Sequence, residues 1–293
     1  MMSSFFVQII KPYPNLHLMK IESLAAAKIN LALHVVGFNE EGYHEVDSLV
    51  TFANIGDIIQ VRPYNSLKLS IDGPFASSVP QGAENIIIKA AKFLSLDGKA
   101  HIRLTKNLPV QAGLGGGSAD AAATLRSLSK LWNVPIPNSP EVLGADIPIC
   151  LLNETAVVQG IGEKIMPVSI PEKLQIILIK PLTGLSTETV FKTLKEKNNK
   201  KMNPYLGTDS KYIFKEHIKA LRNDLLKPSI ELAPIIKDVL SFLNTQNGIY
   251  FSQMSGSGTT CFGLFENKIN ALKALSNAKR KFPEMWCQTA QLL

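Results

Sequence analysis

Residues 113–118 (Gly-Leu-Gly-Gly-Gly-Ser) place four glycines within five positions, a composition suited to binding phosphate. Because glycine has no Cβ, this backbone can curve tightly and turn several N–H groups toward one point. The Ala- and Leu-rich stretch 118–131 contains no Gly or Pro and predicts a helix directly after the loop. Free N–H groups and the helix dipole at such a terminus both favour an anion. We therefore predict a phosphate-binding loop; the alternative is a tight loop in which the glycines serve only close packing.

This loop differs from the two most common nucleotide-binding loops. A Walker A loop has Lys and then Ser or Thr directly after its last glycine, whereas Gly117 is followed by Ser118 and Ala119. The dinucleotide fingerprint requires Gly-x-Gly-x-x-Gly after the first strand. Residues 113–117 have another spacing and lie more than a third of the way along the chain. Both of these classes are therefore excluded.

Two charged residues stand among apolar neighbours, where a transfer to a hydroxyl group could use them. Asp146 lies between Gly-Ala and Ile-Pro, and it fits either a base that takes a hydroxyl proton or a helix N-cap. Lys28 lies in an alternating apolar segment, where a lysine either points outward or meets a carboxylate. Asn30 follows two residues later and shares the strand face of Lys28. The residues alone leave these alternatives open.

Motifs spread along the chain resemble those of the GHMP kinases. Residues 109–122 resemble the ATP loop of that superfamily. Further segments are similar to one member family, the 4-diphosphocytidyl-2-C-methyl-D-erythritol kinases, and the resemblance runs from about Ala25 to the C-terminus with the motifs in the same order. These segments are 27–33 (Ala-Lys-Ile-Asn-Leu-Ala-Leu), 42–45 (Gly-Tyr-His-Glu), 143–148 (Leu-Gly-Ala-Asp-Ile-Pro) and 254–262 (Met-Ser-Gly-Ser-Gly-Thr-Thr-Cys-Phe).

The resemblance implies an α+β protein with the two-domain GHMP kinase fold. The N-terminal domain would be S5 domain 2-like and the C-terminal domain ferredoxin-like. The implied reaction transfers the γ-phosphoryl group of ATP to the 2-hydroxyl of 4-diphosphocytidyl-2-C-methyl-D-erythritol, giving the 2-phosphate and ADP. This is a step of non-mevalonate isoprenoid precursor biosynthesis, and ATP and Mg²⁺ are the implied cofactors.

The resemblance also implies roles for individual residues. Lys28 and Asp146 would be catalytic, with Asp146 as the base and Lys28 as its partner. Ser118 would bond a phosphate oxygen or face Mg²⁺, and no other protein ligand to the metal is expected. The ATP-binding residues would be Asn85, Lys106, Pro109, Val110, Gln111, Ala112, Gly113, Leu114, Gly115, Gly116, Gly117 and Ser118. The substrate-binding residues would be Asn30, Tyr43, His44, Ile161, Thr187 and Phe191.

Ordinary structural roles compete with several of these assignments. Asp57 is interpreted as a turn former rather than a site residue. Residues 255–258 fit a bare hairpin turn, although their family counterpart packs beside the phosphate loop. The other structural alternatives are a helix cap for Asn85, a surface charge for Lys106, an exposed hairpin for Tyr43 and His44, and core or cap positions for Ile161, Thr187 and Phe191.

Composition limits the classes of partner. The 293 residues carry a net charge of +7, but the basic residues are spread along the chain. The densest cluster, 195–201, is interpreted as a solvated loop or helix end. We therefore expect a phosphate-bearing small-molecule substrate, no nucleic acid, no membrane, and a monomer or weak homodimer. Three widely spaced cysteines predict neither a disulfide framework nor a zinc site and favour the cytoplasm.

Periodicity predicts strands mixed with helices, without strict βαβ alternation. We expect an N-terminal extension over 1–18 with no inferable role, an N-terminal ATP-binding domain over 19–168, and a C-terminal domain over 169–293. The extension lacks the pattern of a signal peptide. Strands are predicted at 28–36, 48–52, 58–61, 67–71, 100–104, 156–159, 165–167, 174–180, 250–254, 260–265 and 287–290. Helices are predicted at 85–96, 118–131, 187–195, around 217–226, 233–243 and 268–281.

The sequence leaves two alternative functions to consider. A GHMP kinase for another small molecule would share the glycine loop and Asp146, but it would not require the Tyr-His pair at 43–44. A nucleic-acid-binding protein with an S5-like domain would explain the basic charge. It would not explain the glycine motifs together with Lys28 and Asp146.

Overall fold

The structure is a computed structural model that describes residues 20–171, 174–203, 205 and 207–293; the predicted extension 1–18 lies outside the described residues. Strands form two sheets, and helices cover them. The strands are β1 (Ile21–Phe38), β2 (His44–Arg62), β3 (Leu67–Asp72), β4 (Ala100–Thr105), β5 (Ala156–Gly160), β6 (Lys164–Pro167), β7 (Gln175–Lys180), β8 (Ile249–Met254), β9 (Cys261–Phe265) and β10 (Trp286–Gln291). The α-helices are α1 (Ile86–Leu94), α2 (Gly116–Trp132), α3 (Ile147–Leu152), α4 (Thr187–Thr193), α5 (Lys211–Lys219), α6 (Leu226–Leu232), α7 (Ile235–Asn244) and α8 (Lys268–Lys281).

The first sheet is built on a long hairpin of β1 and β2. The remaining strands follow the order β3-β4-β2-β5-β6, and β1 pairs along β2 from Ile21 opposite Val61 to Phe38 opposite His44. A parallel crossover through α1 joins β3 to β4. The chain then runs from β4 through the glycine loop into α2.

The prediction of separate strands at 48–52 and 58–61 was wrong, because β2 is continuous from His44 to Arg62. The turn-like residues 54–57 lie where the register shifts between Ala26 and Ala27, so they form an irregularity within the ladder. A Cβ on Gly56 would lie 2.1 Å from the carbonyl oxygen of Ala25, which explains why glycine stands at this close approach. Pairing with β1 therefore outweighs the local turn preference.

The second sheet has the ferredoxin-like arrangement. Its order is β10-β7-β9-β8 with antiparallel neighbours, and α8 connects β9 to β10. The prediction of a helix around 217–226 was wrong, since α5 ends at Lys219 and α6 begins at Leu226. Between them, the Leu33 N–H donates to the Arg222 carbonyl over 3.0 Å, and the Asp224 N–H donates to the Leu33 carbonyl over 2.8 Å. These bonds to β1 replace helical ones.

The two sheets share a hydrophobic core. Ile29 and Leu31 from β1 pack in one cluster with Ile176 from β7 and Phe262 from β9. Burial of such a shared apolar surface holds the sheets together. The first sheet ends at Pro167 and the second begins at Gln175. The domain boundary at 168 stays a prediction.

The three cysteines, Cys150, Cys261 and Cys287, are free and buried. Among the helices that the structure describes, none combines the length and the apolar character needed to cross a bilayer.

Candidate active site

One cleft of about 1430 Å³ collects the residues predicted to form the site. Every residue assigned above to catalysis, ATP binding or substrate binding lines it. Its volume exceeds the range of about 300–1,000 Å³ that is usual for a single small-molecule pocket. The cleft is therefore large enough for two ligands side by side. Lining residues that sequence reasoning did not select include Glu41, Ser48, Glu84, Asp120, Glu141, Lys192, Lys197 and Ser257.

The glycine loop leads directly into α2. Gly115 is the N-cap residue in the left-handed conformation, with φ of 63°, and no side chain caps the helix. Gly113 also has a positive φ, and a Cβ there would lie 2.3 Å from the Ser255 carbonyl oxygen. A Cβ on Gly117 would have no atom within 4 Å, so the backbone at Gly117 has open space beside it. An uncapped N-terminus beside open space is suited to an anion.

Lys28 and Asp146 form an ion pair. The Lys28 Nζ lies 2.7 Å from the Asp146 Oδ1, and the two side chains are 8% and 46% exposed. Asp146 stands at the N-cap position of α3, but its side chain makes no capping hydrogen bond. The Lys28 N–H donates to the Leu114 carbonyl over 2.9 Å, which ties β1 to the glycine loop. The carboxylate therefore faces the cleft from beside the loop.

A second charged cluster lies beneath the loop and is buried. The Lys106 Nζ donates to the Asp57 Oδ2 at 2.5 Å and to the Asp120 Oδ2 at 2.6 Å. Asp57 Oδ1 also accepts the N–H groups of Asn107 and Leu108, at 2.6 and 2.8 Å. Asp57 lies within β2 and is fully buried, so its interpretation as a turn former was wrong. Lys106 is 3% exposed, which excludes the alternative of a surface lysine.

This cluster (Asp57, Lys106 and Asp120) contains two carboxylates and one ammonium. Burial raises the pKa of Asp120 well above its usual range, against the opposing charge of Lys106 and together with repulsion from Asp57. Burial alone would lower the pKa of Lys106, but the two carboxylates outweigh it and the pKa is raised. A Cβ on Gly116 would lie 3.2 Å from the Lys106 Nζ, so the ammonium supports the first residue of α2. Sequence reasoning missed this cluster, although an aspartate inside the Ala-rich segment 119–123 was a usable signal.

The turn at residues 255–258 braces the loop. The Ser255 hydroxyl donates to the Gly113 carbonyl over 2.8 Å and accepts the Asn30 N–H over 3.1 Å. The Thr260 N–H donates to the Ala112 carbonyl over 3.2 Å. The prediction that this turn packs beside the phosphate loop is confirmed in this chain. It also joins the second domain to the site.

Asn30 is held in the cleft beside this turn. Its Nδ2 donates to the Ser48 Oγ over 2.8 Å, whereas its buried Oδ1 has no partner within the described part of the chain. An unpaired buried acceptor is costly unless a ligand donates to it.

His44 and Phe191 line the cleft as part of an aromatic cluster. The His44 ring stacks on Phe191 at a centroid distance of 4.6 Å and contacts Phe38 at 4.3 Å. Burial lowers the pKa of His44, and the nearby charge of Lys197 lowers it further. Its Nδ1 is buried and has no partner in the part of the chain that the structure describes. Tyr43 is 60% exposed at the rim.

Three other predicted residues have identifiable structural contacts. The Asn85 Oδ1 accepts the Ile87 N–H at 2.8 Å and its Nδ2 donates to the Pro80 carbonyl at 2.7 Å, so this side chain caps α1. The Thr187 and Ser257 hydroxyls lie 2.9 Å apart. Ile161 is 40% exposed. All three still border the cleft.

Comparison with known proteins agrees with this architecture. The description "GHMP kinases N terminal domain" matches residues 85–152, and "GHMP kinases C terminal" matches residues 211–284. A homoserine kinase from Cytophaga hutchinsonii has a similar fold, with a TM-score of 0.65 at 16% identity over 99% of this chain and 100% of that one. The fold and the site thus define a GHMP kinase.

Relatives of higher identity narrow this class. A 4-diphosphocytidyl-2-C-methyl-D-erythritol kinase of Ruegeria pomeroyi is 44% identical over 94% of this chain and 100% of its own length. One of Roseobacter denitrificans is 43% identical over 93% of each chain. A crystal structure of a 4-(cytidine 5'-diphospho)-2C-methyl-D-erythritol kinase matches with a TM-score of 0.74 and 30% identity, over 93% of this chain and 99% of that one. The chain belongs to the 4-diphosphocytidyl-2-C-methyl-D-erythritol kinase family.

Proposed function

We propose that this kinase transfers the γ-phosphoryl group of ATP to the 2-hydroxyl of 4-diphosphocytidyl-2-C-methyl-D-erythritol, giving the 2-phosphate and ADP. The reaction belongs to non-mevalonate isoprenoid precursor biosynthesis. The observation that carries the proposal is the Lys28–Asp146 pair beside an uncapped glycine loop in one cleft. Family membership supports the choice of substrate.

Asp146 is the proposed base. Its carboxylate is half-exposed to the cleft and is oriented by Lys28 rather than by a helix cap. As the acceptor oxygen attacks the γ-phosphorus, its proton passes to Asp146 while the bond to the ADP oxygen breaks. The Lys28 ammonium holds the carboxylate and the acceptor oxygen in one place. Alignment of this kind supplies much of the rate enhancement in phosphoryl transfer.

The glycine loop is the proposed cradle for the ATP phosphates. Backbone N–H groups at the start of α2 would donate to the phosphate oxygens, and the helix dipole favours their charge. In the described residues no group of three or more His, Cys, Asp or Glu could hold a metal ion. The Ser118 hydroxyl lines the cleft at the start of α2, so it could hold Mg²⁺ together with phosphate oxygens and water, because Mg²⁺ keeps several waters in such sites. The ion would neutralise charge on the transferring group.

His44 and Asn30 are the proposed contacts of the second ligand. The pKa of His44 is lowered, so its ring is neutral at pH 7 and one nitrogen can donate while the other accepts. Such a ring can form hydrogen bonds with the edge of a cytosine, and the Tyr43 ring at the rim can stack on that base. Asn30 lines the cleft and its Oδ1 has no partner among the described residues, so a hydroxyl of the polyol is the proposed donor to it.

We further propose a cytoplasmic enzyme that acts as a monomer or weak homodimer. Free buried cysteines suit a reducing compartment.

The test is an assay of the purified protein with ATP, Mg²⁺ and a panel of acceptors. We expect phosphorylation of 4-diphosphocytidyl-2-C-methyl-D-erythritol, followed as ADP release and as a new phosphate signal in ³¹P NMR. Homoserine and mevalonate serve as matched acceptors for other GHMP kinases. Phosphorylation of either of these, without phosphorylation of the cytidyl substrate, would refute the assignment.

A further inference from the structure

The cleft contains four lysines, and three of them have carboxylate partners. Lys28 pairs with Asp146, Lys106 with two buried aspartates, and Lys192 with Glu188 at 2.6 Å. Lys197 also lines the cleft. Within the ranges that the structure describes, no carboxylate oxygen lies within 4 Å of its Nζ. Its charge is therefore available to a ligand.

Lys197 belongs to the basic cluster 195–201, which sequence reasoning interpreted as a solvated loop. Lys195, Lys200 and Lys201 are exposed, as that interpretation requires, but Lys197 is half-buried. Its Nζ lies 5.5 Å from the centroid of the Phe38 ring, which contacts His44. Lys197 thus differs from these neighbours, because it lines the cleft.

Three hydrogen bonds hold this segment against the β1–β2 hairpin. Both the N–H and the Nδ2 of Asn199 donate to the Val35 carbonyl over 3.1 Å. The Met202 N–H donates to the Asp47 Oδ2 over 2.8 Å. A lysine presented on an anchored segment loses less freedom when it binds a ligand than one on a free loop.

We propose that Lys197 binds the diphosphate of the cytidyl substrate and so determines specificity for a diphosphate-bearing ligand. This rests on the proposed function, which places two phosphate-bearing ligands in one cleft. The N–H groups of the glycine loop serve the phosphates of ATP, and a second polyphosphate needs its own cation. Lysine is a point charge suited to phosphate. Lys197 is next to the aromatic cluster that would hold the base. One ribose joins the base to the diphosphate, so the diphosphate begins a short distance from that cluster.

The test compares Lys197→Met with Lys195→Met by calorimetric titration of cytidine and of CDP. Lys195 is a matched control because it lies two residues away, with a side chain that is 76% exposed and 3.6 Å from Glu231. We expect Lys197→Met to bind CDP about five- to tenfold more weakly than the wild type, with cytidine binding unchanged. The KM for the cytidyl substrate rises by the same factor and the KM for ATP does not change. Lys197→Arg retains the preference for CDP, and Lys195→Met behaves as the wild type.

Other outcomes overturn the inference in distinguishable ways. Equal weakening of cytidine and CDP would mean that Lys197 acts only by packing on Phe38. An unchanged preference for CDP in Lys197→Met would remove the residue from the diphosphate subsite and leave the proposed function intact. A wild-type chain that binds neither cytidine nor CDP would overturn the proposed function, and this assignment with it.

Discussion

Replacement of Lys106 by Met tests whether the buried cluster of Asp57, Lys106 and Asp120 supports the glycine loop. Met has a similar length but no charge, so the change removes the ammonium and leaves two carboxylates that are 0% and 4% exposed at the side chain. Because both carboxylates are buried, water does not reach them to replace the hydrogen bonds that Lys106 donated. The glycine loop above would lose the ammonium that lies against Gly116.

The expected loss of stability follows from the contacts that remain. Breaking a buried ion pair by removing one partner costs about 3–5 kcal/mol. Asp57 retains the N–H groups of Asn107 and Leu108, so we expect a value near the lower end, about 3 kcal/mol at pH 7. This is a large part of a typical unfolding free energy of about 5–15 kcal/mol. Addition of Asp120→Asn to Lys106→Met removes one buried negative charge and restores part of the loss.

The stability lost in Lys106→Met should depend on pH in a defined direction. Without the ammonium, the pKa of Asp120 rises further above its already raised position. A carboxyl group whose pKa is higher in the folded state stabilises the fold at low pH, and this contribution is lost as pH rises through the folded-state pKa. The deficit of Lys106→Met relative to the wild type is therefore smaller at pH 5 than at pH 7.

The measurement is urea-induced unfolding at both pH values, followed by tryptophan fluorescence. Trp132 ends α2, the helix that carries Asp120, and so its fluorescence reports on unfolding of the N-terminal domain. Lys89→Met is the matched control, because Lys89 pairs with Glu84 at 2.8 Å but the side chains are 45% and 83% exposed. That change should cost less than about 0.5 kcal/mol. A loss below about 1 kcal/mol for Lys106→Met, or equal losses at both pH values, would refute the reasoning.

Two further predictions concern the catalytic pair and the loop. Asp146→Asn keeps the side-chain shape, but the amide cannot take a proton. We therefore expect kcat to fall by a factor of about 10²–10⁴, with the ATP affinity unchanged in calorimetric titration. Near-normal turnover would remove Asp146 from the base role. Gly117→Ala places a methyl group in open space within a helix, so stability should hold or rise by up to about 1 kcal/mol. If phosphates occupy that space, ATP binding weakens in calorimetric titration and CDP binding does not, whereas unchanged ATP affinity would leave the loop a structural turn.

Local sequence was sufficient to predict those elements whose structure depends mainly on residues close together in the chain. Glycine spacing and the helix propensity of residues 118–131 predicted the loop and α2, because both features depend on neighbours in the chain. The predicted helix at 268–281 is confirmed at both ends, with Asn267 as its N-cap. The fold class and the family followed from motifs in their order along the chain.

Residue types alone did not predict which charges pair. Asp57 looks like a turn former beside Gly56, yet it is buried against Lys106 because β2 continues through that position. Lys197 looks like one more solvated lysine among neighbours that are solvated. The burial of Asp57 and the position of Lys197 in the cleft both depend on contacts between residues far apart in sequence.

The amino-acid sequence by itself determined the glycine loop and the helix after it, the α+β class, the family and part of the set of residues that line the cleft. The motif resemblance already implied that Lys28 pairs with Asp146. Only the tertiary structure decided that Asp120 shares Lys106 with Asp57, and that Lys197 has no carboxylate partner among the described residues. The physical reason is that charge pairing and burial depend on distances between strands and helices. Those distances are set by the β1–β2 register and by the core that the two sheets share.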